Sequence, residues 1–240
     1  MVQLTSRDDA MLDWLGVVRM ASMDAIRFAL AGLGSDEHPA QPVSRRMAQQ
    51  WVARMATVGL VDRARPTFNS VSIVWATHQA IGRSAPNLYR QTTRHELAVA
   101  SVAARYLARG FEWARDRKPA GLAEHMADGV AHRGPLLELV EVELTPKTLG
   151  RYRLIHNSHA DRLATEGVAR VVYACTPDAA RAVSREADRY LFRDLRPRLV
   201  TSPVFDPHGT WTGSEDALWR DVPELEPAMV QAPLWERSLP

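Results

Sequence analysis

The pattern of residues 136–144 restricts the possible folds of this chain more than any other feature of its sequence. Alternate residues of a β-strand face opposite sides of a sheet. One side here carries Leu136, Glu138, Val140, Val142 and Leu144, and the other changes halfway from leucine to glutamate (Leu137, Leu139, Glu141 and Glu143). A strand face in water tends to be polar along its whole length. The pattern therefore predicts a partly buried sheet with Glu141 and Glu143 at the mouth of a cleft.

An aspartate and a lysine flank this strand. Asp128 lies in a predicted strand at 125–131, and Thr145-Pro146-Lys147 reads as the N-cap and first two residues of a helix over 146–165. Two carboxylates about 7 Å apart in a cleft of low dielectric constant repel each other, and a bound cation relieves the repulsion. We therefore expect Asp128, Glu141 and Glu143 to hold a divalent cation, with Lys147 beside them.

The elements around this strand follow an α-β-β-β-α-β-α-β order. The expected elements are a helix at 92–109, strands at 110–115, 125–131 and 136–144, a helix at 146–165, a strand at 168–175, a helix at 177–191 and a strand at 197–201. This order predicts a mixed sheet flanked by helices, in fold class α+β or α/β. The predicted domain covers residues 92–203 and follows a linker at 81–91.

Residues 1–80 predict a winged helix-turn-helix domain. Three helices are expected, the first capped by Thr5 or Ser6, the second at 22–30 and the third at 43–58. In the third helix Met47, Trp51, Met55 and Val58 form one face, and Arg45, Arg46, Gln49 and Gln50 form the opposite face. A basic hairpin follows, with strands from residue 59 and residue 71 and a turn at 65–70.

The outer face of the third helix has the side chains that a DNA groove requires. Arginine can donate two hydrogen bonds to guanine or phosphate, and glutamine can read adenine. Arg63 and Arg65 in the hairpin are predicted phosphate contacts. Residues 42–90 contain seven arginines and one acid, although the net charge of the chain is only +2. We predict binding to double-stranded DNA; a solvated surface helix and a protein-docking use of the same fold are the alternatives.

The second half of the chain resembles a nuclease superfamily. An α-β-β-β-α-β core with an acid on its second strand and a Glu-x-Glu motif on its third resembles the PD-(D/E)XK superfamily, which has the restriction-endonuclease fold. The winged helix followed by Trp113, Ala127-Asp128-Gly129, Glu141-Val142-Glu143-Leu144-Thr145-Pro146-Lys147-Thr148 and Arg151-Tyr152 is similar to the replication-relaxation family of plasmid and mobile-element proteins. It is also similar to mobilisation relaxases built on the restriction-endonuclease fold. The resemblance covers roughly residues 5–203.

This resemblance implies a metal-dependent DNA endonuclease or nickase of the relaxase type, acting in plasmid or mobile-element replication and transfer. Asp128 and Glu141 would ligate Mg²⁺ or Mn²⁺, and Glu143 would add a ligand or orient a water molecule. Lys147 would stabilise charge on the attacked phosphate. Two positions depart from the superfamily pattern: Ala127 replaces a common proline, and Glu143 replaces the usual lysine. The second departure leaves open a non-catalytic DNA-binding accessory or regulatory protein, whose degenerate nuclease domain serves dimerisation or docking.

Other polar residues near the predicted cleft are expected to have structural roles. His125 and His132 bracket Asp128, and His156 and His159 follow Lys147, but none has the spacing of a zinc site with a cysteine partner. Tyr152, a conceivable covalent nucleophile, is expected to pack. Asp116 is a further acid that could join the cluster.

The remaining features predict the compartment and the partners of the chain. Cys175 is the single cysteine, which excludes an internal disulfide and fits a reducing cytoplasm. No run approaches the roughly 20 apolar residues of a membrane span, so we expect a soluble cytoplasmic protein, with a homodimer as an open alternative. Residues 204–240 form an acidic tail with prolines and tryptophans, which is expected to wrap the domain or to dock onto a protein partner.

Overall fold

The computed structural model describes residues 3–66 and 71–219, in which helices and two β-sheets alternate. The chain divides into two units, Met1–Trp113 and Ala114–Pro240. This division assigns the helix at residues 93–108 to the first unit. The sequence-based domain limits at residues 80, 91 and 203 remain predictions.

The first unit begins with three helices, as the sequence predicts. Its elements are α1 (Ser6–Val18), β1 (Ala21–Ser22), α2 (Met23–Gly32), α3 (Arg45–Thr57), β2 (Val61–Ala64), β3 (Ile73–Ala76), α4 (His78–Ile81) and α5 (Thr93–Ala108). Thr5, Ser22 and Ser44 each cap a helix by accepting a hydrogen bond from the backbone N–H three residues later. Three hydroxyl caps thus fix where α1, α2 and α3 begin.

The three strands of the first unit form an antiparallel sheet in the order β1-β3-β2. The strand expected from residue 71 begins at Ile73, and all four residues of β3 are buried. Ile73 and Trp75 pack against Met20 and Leu88, while helix α1 also contacts the strand. The turn predicted at 65–70 falls partly on residues 67–70, which lie outside the described residues.

The buried stripe of α3 differs from the predicted one. Ala48, Trp51, Val52 and Met55 are buried, whereas Met47 is 51% exposed. At 100° per residue, Met47 lies about 90° around the helix from the centre of this stripe, so its assignment to the apolar face was wrong. The side chains of Arg45, Arg46, Gln49 and Gln50 are exposed, as predicted.

The second unit contains the predicted mixed sheet. Its elements are β4 (Glu112–Ala114, at the division between the units), β5 (Gly129–Arg133), β6 (Leu136–Glu143), α6 (Leu149–Thr165), β7 (Arg170–Cys175), α7 (Pro177–Tyr190) and β8 (Leu199–Pro203). The strand order is β4-β5-β6-β7-β8. Strand β5 is antiparallel to β6, and β6, β7 and β8 are parallel. The fold is therefore α+β.

One face of β6 and β7 forms the core of the second unit with helices α6 and α7. Leu139 and Tyr173 from the sheet pack in one cluster with Leu163 of α6 and Val183 of α7. Glu141 and Glu143 follow Leu139 along the same face of β6, because side chains two residues apart share a face. This placement explains why both glutamates are buried.

The start of α6 differs from the prediction. Thr148, not Thr145, is the N-cap residue, and the helix begins at Leu149. The backbone of Thr148 is extended, and the hydroxyl of Tyr152 accepts a hydrogen bond from the Lys147 backbone N–H at 3.0 Å. Lys147 therefore precedes the helix, and its predicted position in the first helical turn was wrong.

The first part of the acidic tail packs within the second unit. The backbone N–H groups of Val204 and Phe205 donate to the carbonyl of Cys175, and Leu218 is fully buried. Residues 220–240 of the tail lie outside the described residues. Within residues 3–66 and 71–219, no helix combines the length and apolar character that crossing a bilayer requires.

Candidate functional site

A buried glutamate of the second unit lies between two histidines. The Nε2 atom of His125 is 2.8 Å from Oε1 of Glu141, and Nε2 of His159 is 3.0 Å from the same oxygen. All three ligand atoms lie within 4.8 Å of one another. We call these three residues the His–Glu–His cluster. Two imidazole nitrogens and a carboxylate oxygen at this spacing could hold a metal ion.

Three separate segments supply the His–Glu–His cluster. Glu141 lies on β6, His159 lies on α6, and His125 lies in the loop before β5. The backbone N–H of His125 donates to the hydroxyl of Ser158 at 3.0 Å, which attaches the loop to the helix beside His159. The Tyr173 hydroxyl lies 3.4 Å from Nδ1 of His159. The strand, the helix and the loop thus hold the three side chains in place.

The Glu141 carboxylate is stabilised in its charged form although it is almost completely buried. Burial raises the pKa of a carboxyl group, but hydrogen bonds from His125 and His159 outweigh it and hold the pKa of Glu141 well below its ordinary value. Glu141 therefore offers an anionic oxygen inside the unit across the physiological pH range.

Asp128 directly precedes β5, the strand that pairs with β6 and its Glu141. Gly129 pairs with Val140 in the antiparallel β5-β6 ladder, so continuing the register by one residue sets Asp128 opposite Glu141 and on the same face. The Asp128 carboxylate accepts a hydrogen bond from the Val142 backbone N–H at 2.8 Å. Asp128 and Glu141 thus face the same side of the sheet.

Glu143 and Lys147 form an ion pair of their own. The Lys147 ammonium contacts the Glu143 carboxylate, and Glu143 is buried. Burial lowers the pKa of Lys147, while the charges of Glu141 and Asp128 oppose this change. Lys147 therefore lies within electrostatic range of the acids that the sequence grouped with it, although its position in the chain differs from the predicted one.

Two further residues considered from the sequence have structural partners. The carboxylate of Asp116 receives two hydrogen bonds from the Arg162 guanidinium, at 2.6 and 3.0 Å, and a third from the Ala127 backbone. Tyr152 is buried, and burial raises the pKa of its hydroxyl. These contacts favour structural roles for both residues.

The structure gathers histidines that sequence reasoning set aside. Only cysteine-containing zinc spacings were considered, whereas the His–Glu–His cluster joins residues 125, 141 and 159 from three segments. One signal was present in the sequence: Tyr152, His156, His159 and Leu163 recur at spacings of four, three and four along α6. Such spacing puts both histidines on the buried face of the helix. Which acid the two histidines contact depends on the strand that packs against α6, and a single sequence does not specify that strand.

A second candidate site lies in the first unit. Arg45 and Gln49 of α3 line one pocket together with Arg63 and Arg65. The pocket is completed by Met23, Val71 and Ser72. Four of the six residues predicted to bind DNA thus converge, while Arg46 and Gln50 are exposed on α3 outside the pocket lining. We call this site the arginine pocket.

Comparisons of this chain with protein-family models, with curated proteins and with solved structures find no match. The function of each site is therefore inferred from its own residues.

Proposed function

We propose that this protein binds double-stranded DNA through its first unit and cleaves or nicks a phosphodiester bond through its second unit with the help of a divalent cation. A role in plasmid or mobile-element replication and transfer, in the cytoplasm, is part of this proposal. The observation that carries DNA binding is the arginine pocket, where α3 and the β2–β3 hairpin present cationic and amide side chains together.

The element order of the first unit supports a winged helix-turn-helix interpretation. A helix, a short strand, two more helices and a two-stranded hairpin follow one another, and the three strands share one sheet. In such modules the third helix enters the major groove and the hairpin contacts the backbone. In this arrangement Gln49 and Gln50 would face base edges, and the arginines of α3 and the hairpin (Arg45, Arg46, Arg63 and Arg65) would contact phosphates.

A double substitution in α3 tests DNA binding. We expect Arg45→Ala with Arg46→Ala to weaken binding to duplex DNA and to lower the slope of log K against log salt by about 2, because each lost phosphate contact releases about one counterion fewer. The slope is measured by fluorescence anisotropy between about 50 and about 200 mM salt.

The matched control removes two exposed arginines of the same unit from segments outside the arginine pocket, Arg83→Ala with Arg90→Ala. The control is expected to change the slope much less. Equal slopes for the double variant and the unaltered protein would argue against groove binding by α3.

The arrangement of the second unit supports hydrolysis. Asp128 and Glu141 lie on one face of the sheet, and Lys147 is within electrostatic range of both. A divalent cation would supply a polarised water and neutralise charge on the phosphate. Among this chain's residues, Glu141 and Asp128 would hold the negative charge that binds the cation, and the Lys147 ammonium would stabilise the attacked phosphate.

One contact favours the non-catalytic alternative. The ammonium of Lys147 is paired with Glu143, the residue that replaces the usual nuclease lysine. A lysine engaged in this way cannot also face a phosphate unless the pair opens. An accessory DNA-binding protein, with the second unit used for dimerisation or for docking a protein partner, is therefore the second candidate function.

A nicking assay separates the two candidates. We expect the full-length protein to relax supercoiled plasmid with Mn²⁺ or Mg²⁺, and Glu141→Gln to reduce the rate at least about 100-fold, because the carboxylate charge is lost from the site. His132→Ala, an exposed substitution on β5, serves as the control and retains the rate. Absence of nicking by the unaltered protein with either ion would instead support the accessory role.

A further inference from the structure

The His–Glu–His cluster differs from the metal site that the nuclease resemblance implies. The implied ligands are Asp128, Glu141 and Glu143, which are all oxygen donors. In the structure Glu143 is paired with Lys147, and the Asp128 carboxylate accepts a backbone hydrogen bond. The side chains around the Glu141 oxygen are two imidazoles. The donor set next to Glu141 therefore does not match the oxygen-only coordination that Mg²⁺ prefers.

We infer that the His–Glu–His cluster binds one first-row transition-metal dication that favours imidazole ligands, such as Zn²⁺, through Nε2 of His125, Nε2 of His159 and Oε1 of Glu141. Two neighbouring ligands about 2.1 Å from one ion lie about 3.0 Å apart in octahedral geometry and about 3.4 Å apart in tetrahedral geometry. The two nitrogen–oxygen distances are 2.8 and 3.0 Å. These two distances match the spacing of neighbouring ligands, and the two imidazole nitrogens lie within 4.8 Å of each other, so an ion fits once these nitrogens also close to that spacing.

The chemistry of the donors selects the class of ion. Imidazole nitrogen is a preferred ligand of Zn²⁺, Cu²⁺, Fe²⁺ and Ni²⁺, whereas Mg²⁺, Ca²⁺ and Mn²⁺ favour oxygen ligands. Glu141 supplies the negative charge, and its low exposure of 3% removes competing water. Two neutral imidazoles and one carboxylate leave a bound dication with a net charge of +1.

Residues outside the cluster hold His125 and His159 in position to bind an ion. When Nε2 of an imidazole binds a metal, the ring hydrogen is on Nδ1 and requires an acceptor. The Tyr173 hydroxyl lies beside Nδ1 of His159 and can accept that hydrogen. Ser158 holds the backbone of His125 next to the same helix. Metal ligands in proteins have such supporting contacts as a rule, and they orient the rings before the ion arrives.

The alternative is a buried carboxylate that merely accepts two imidazole N–H groups. Both arrangements place the same atoms about 3 Å apart, so ion binding has to be measured directly. This inference adds the class of ion to the proposed function. Only the role of the bound ion rests on that function. Binding itself requires neither DNA nor cleavage.

The first test measures metal affinity in the full-length protein without DNA. After removal of metals with a chelator, the protein is titrated with Zn²⁺ against a chromogenic competitor. We expect one bound Zn²⁺ per chain, and an affinity at least about tenfold lower in His125→Ala, His159→Ala and Glu141→Gln, since each loses one ligand. The control His132→Ala keeps the affinity of the unaltered protein. Millimolar Mg²⁺ does not displace Zn²⁺.

The second test does not depend on whether the variants fold. X-ray absorption of the unaltered protein with one equivalent of Zn²⁺ is expected to show scattering from two imidazole rings and from oxygen in the coordination shell. A shell of oxygen alone, an unchanged affinity in folded His159→Ala, or no stoichiometric binding by the unaltered protein would each overturn the inference.

The outcomes also separate this inference from the proposed function. Zn²⁺ binding at the cluster without any nicking would disprove the endonuclease and leave the metal site in place. Nicking with Mg²⁺ by a protein that binds no Zn²⁺ would support the endonuclease with its implied oxygen ligands and overturn the metal site inferred here.

Discussion

At the residue scale, His156 is unusual because it is fully buried and neither of its ring nitrogens has a hydrogen-bond partner among residues 3–66 and 71–219. Its ring stacks on Tyr152 with the centroids 5.7 Å apart. Burial lowers the pKa of His156 from 6.5 to about 4. The ring is therefore neutral in the folded protein at physiological pH, and it belongs to the packing of α6.

His156 makes the second unit sensitive to acid. Between pH 6.5 and about 4 the unfolded chain binds a proton that the folded chain does not, so the free energy of unfolding falls as the pH falls. For these two pKa values the loss between pH 7.5 and pH 5 is about 2 kcal/mol. His156→Leu is expected to remove this part of the pH dependence. Guanidinium unfolding of both proteins at the two pH values measures it.

The control for this substitution is His132→Leu, because His132 is exposed on β5. It is expected to leave the pH dependence unchanged. If His156→Leu and the unaltered protein lost the same stability between the two pH values, His156 would have to be protonated in the folded state as well.

At the element scale, strand β6 combines three buried glutamates with three different partners. Glu141 meets two imidazoles, Glu143 meets the Lys147 ammonium, and Glu138 on the opposite face meets Arg170. Arg170 donates from Nε and Nη2 to one oxygen of Glu138 at 2.8 and 2.7 Å, and both residues are buried. Removing only one partner of a buried ion pair strongly destabilises a protein, because the other charge stays buried without a partner.

A double-mutant cycle tests the pair of Glu138 and Arg170. We expect Arg170→Leu and Glu138→Leu each to lower the free energy of unfolding by about 3–5 kcal/mol, because each leaves a buried charge without its partner. The double variant is expected to lose much less than the sum of these losses, since both charges are gone and leucines fill the space. Urea unfolding of the four proteins provides the cycle. Additive losses would show that the two residues act independently.

The sequence predicted much of strand β6, but it did not predict the histidines from distant parts of the chain that contact it. Alternation identified β6, and the change from leucine to glutamate identified Glu141 and Glu143 as residues of one buried face, because a strand has a fixed period of two. The histidines of the cluster could not be placed in the same way. His125 lies 16 residues before Glu141 and His159 lies 18 residues after it, and only the packing of α6 and a loop on the sheet brings them together.

Two predictions about helices were wrong: the apolar face of α3 and the first residue of α6. Met47 was assigned to the apolar face of α3 because its spacing of four from Trp51 fits a helical stripe. The centre of the stripe lies between Ala48 and Met55, and alanine gives a weaker hydrophobic signal than methionine. Likewise Thr145 was predicted as the N-cap of α6, whereas the helix begins after Thr148, and the hydroxyl of Tyr152 on the Lys147 backbone accompanies this later start.

At the scale of the whole molecule, element order was predicted better than the division of the chain. The α-β-β-β-α-β-α-β order of the second half agrees with the elements from α5 to β8. Helix α5 was expected to belong to the sheet that follows it, yet it packs against α2 and belongs to the first unit. The apolar face of a helix shows that a partner exists, but a single sequence does not show which of its neighbours that partner is.

The three β6 glutamates differ in how readily the group that balances each carboxylate charge can be replaced. The guanidinium of Arg170 and the ammonium of Lys147 are attached to the chain, so Glu138 and Glu143 are neutralised by groups that cannot leave. The hydrogens that face Glu141 belong to imidazoles, which can turn a lone pair towards the same space. Of these three acids, Glu141 is therefore the one whose compensating charge can be exchanged with the surrounding solution.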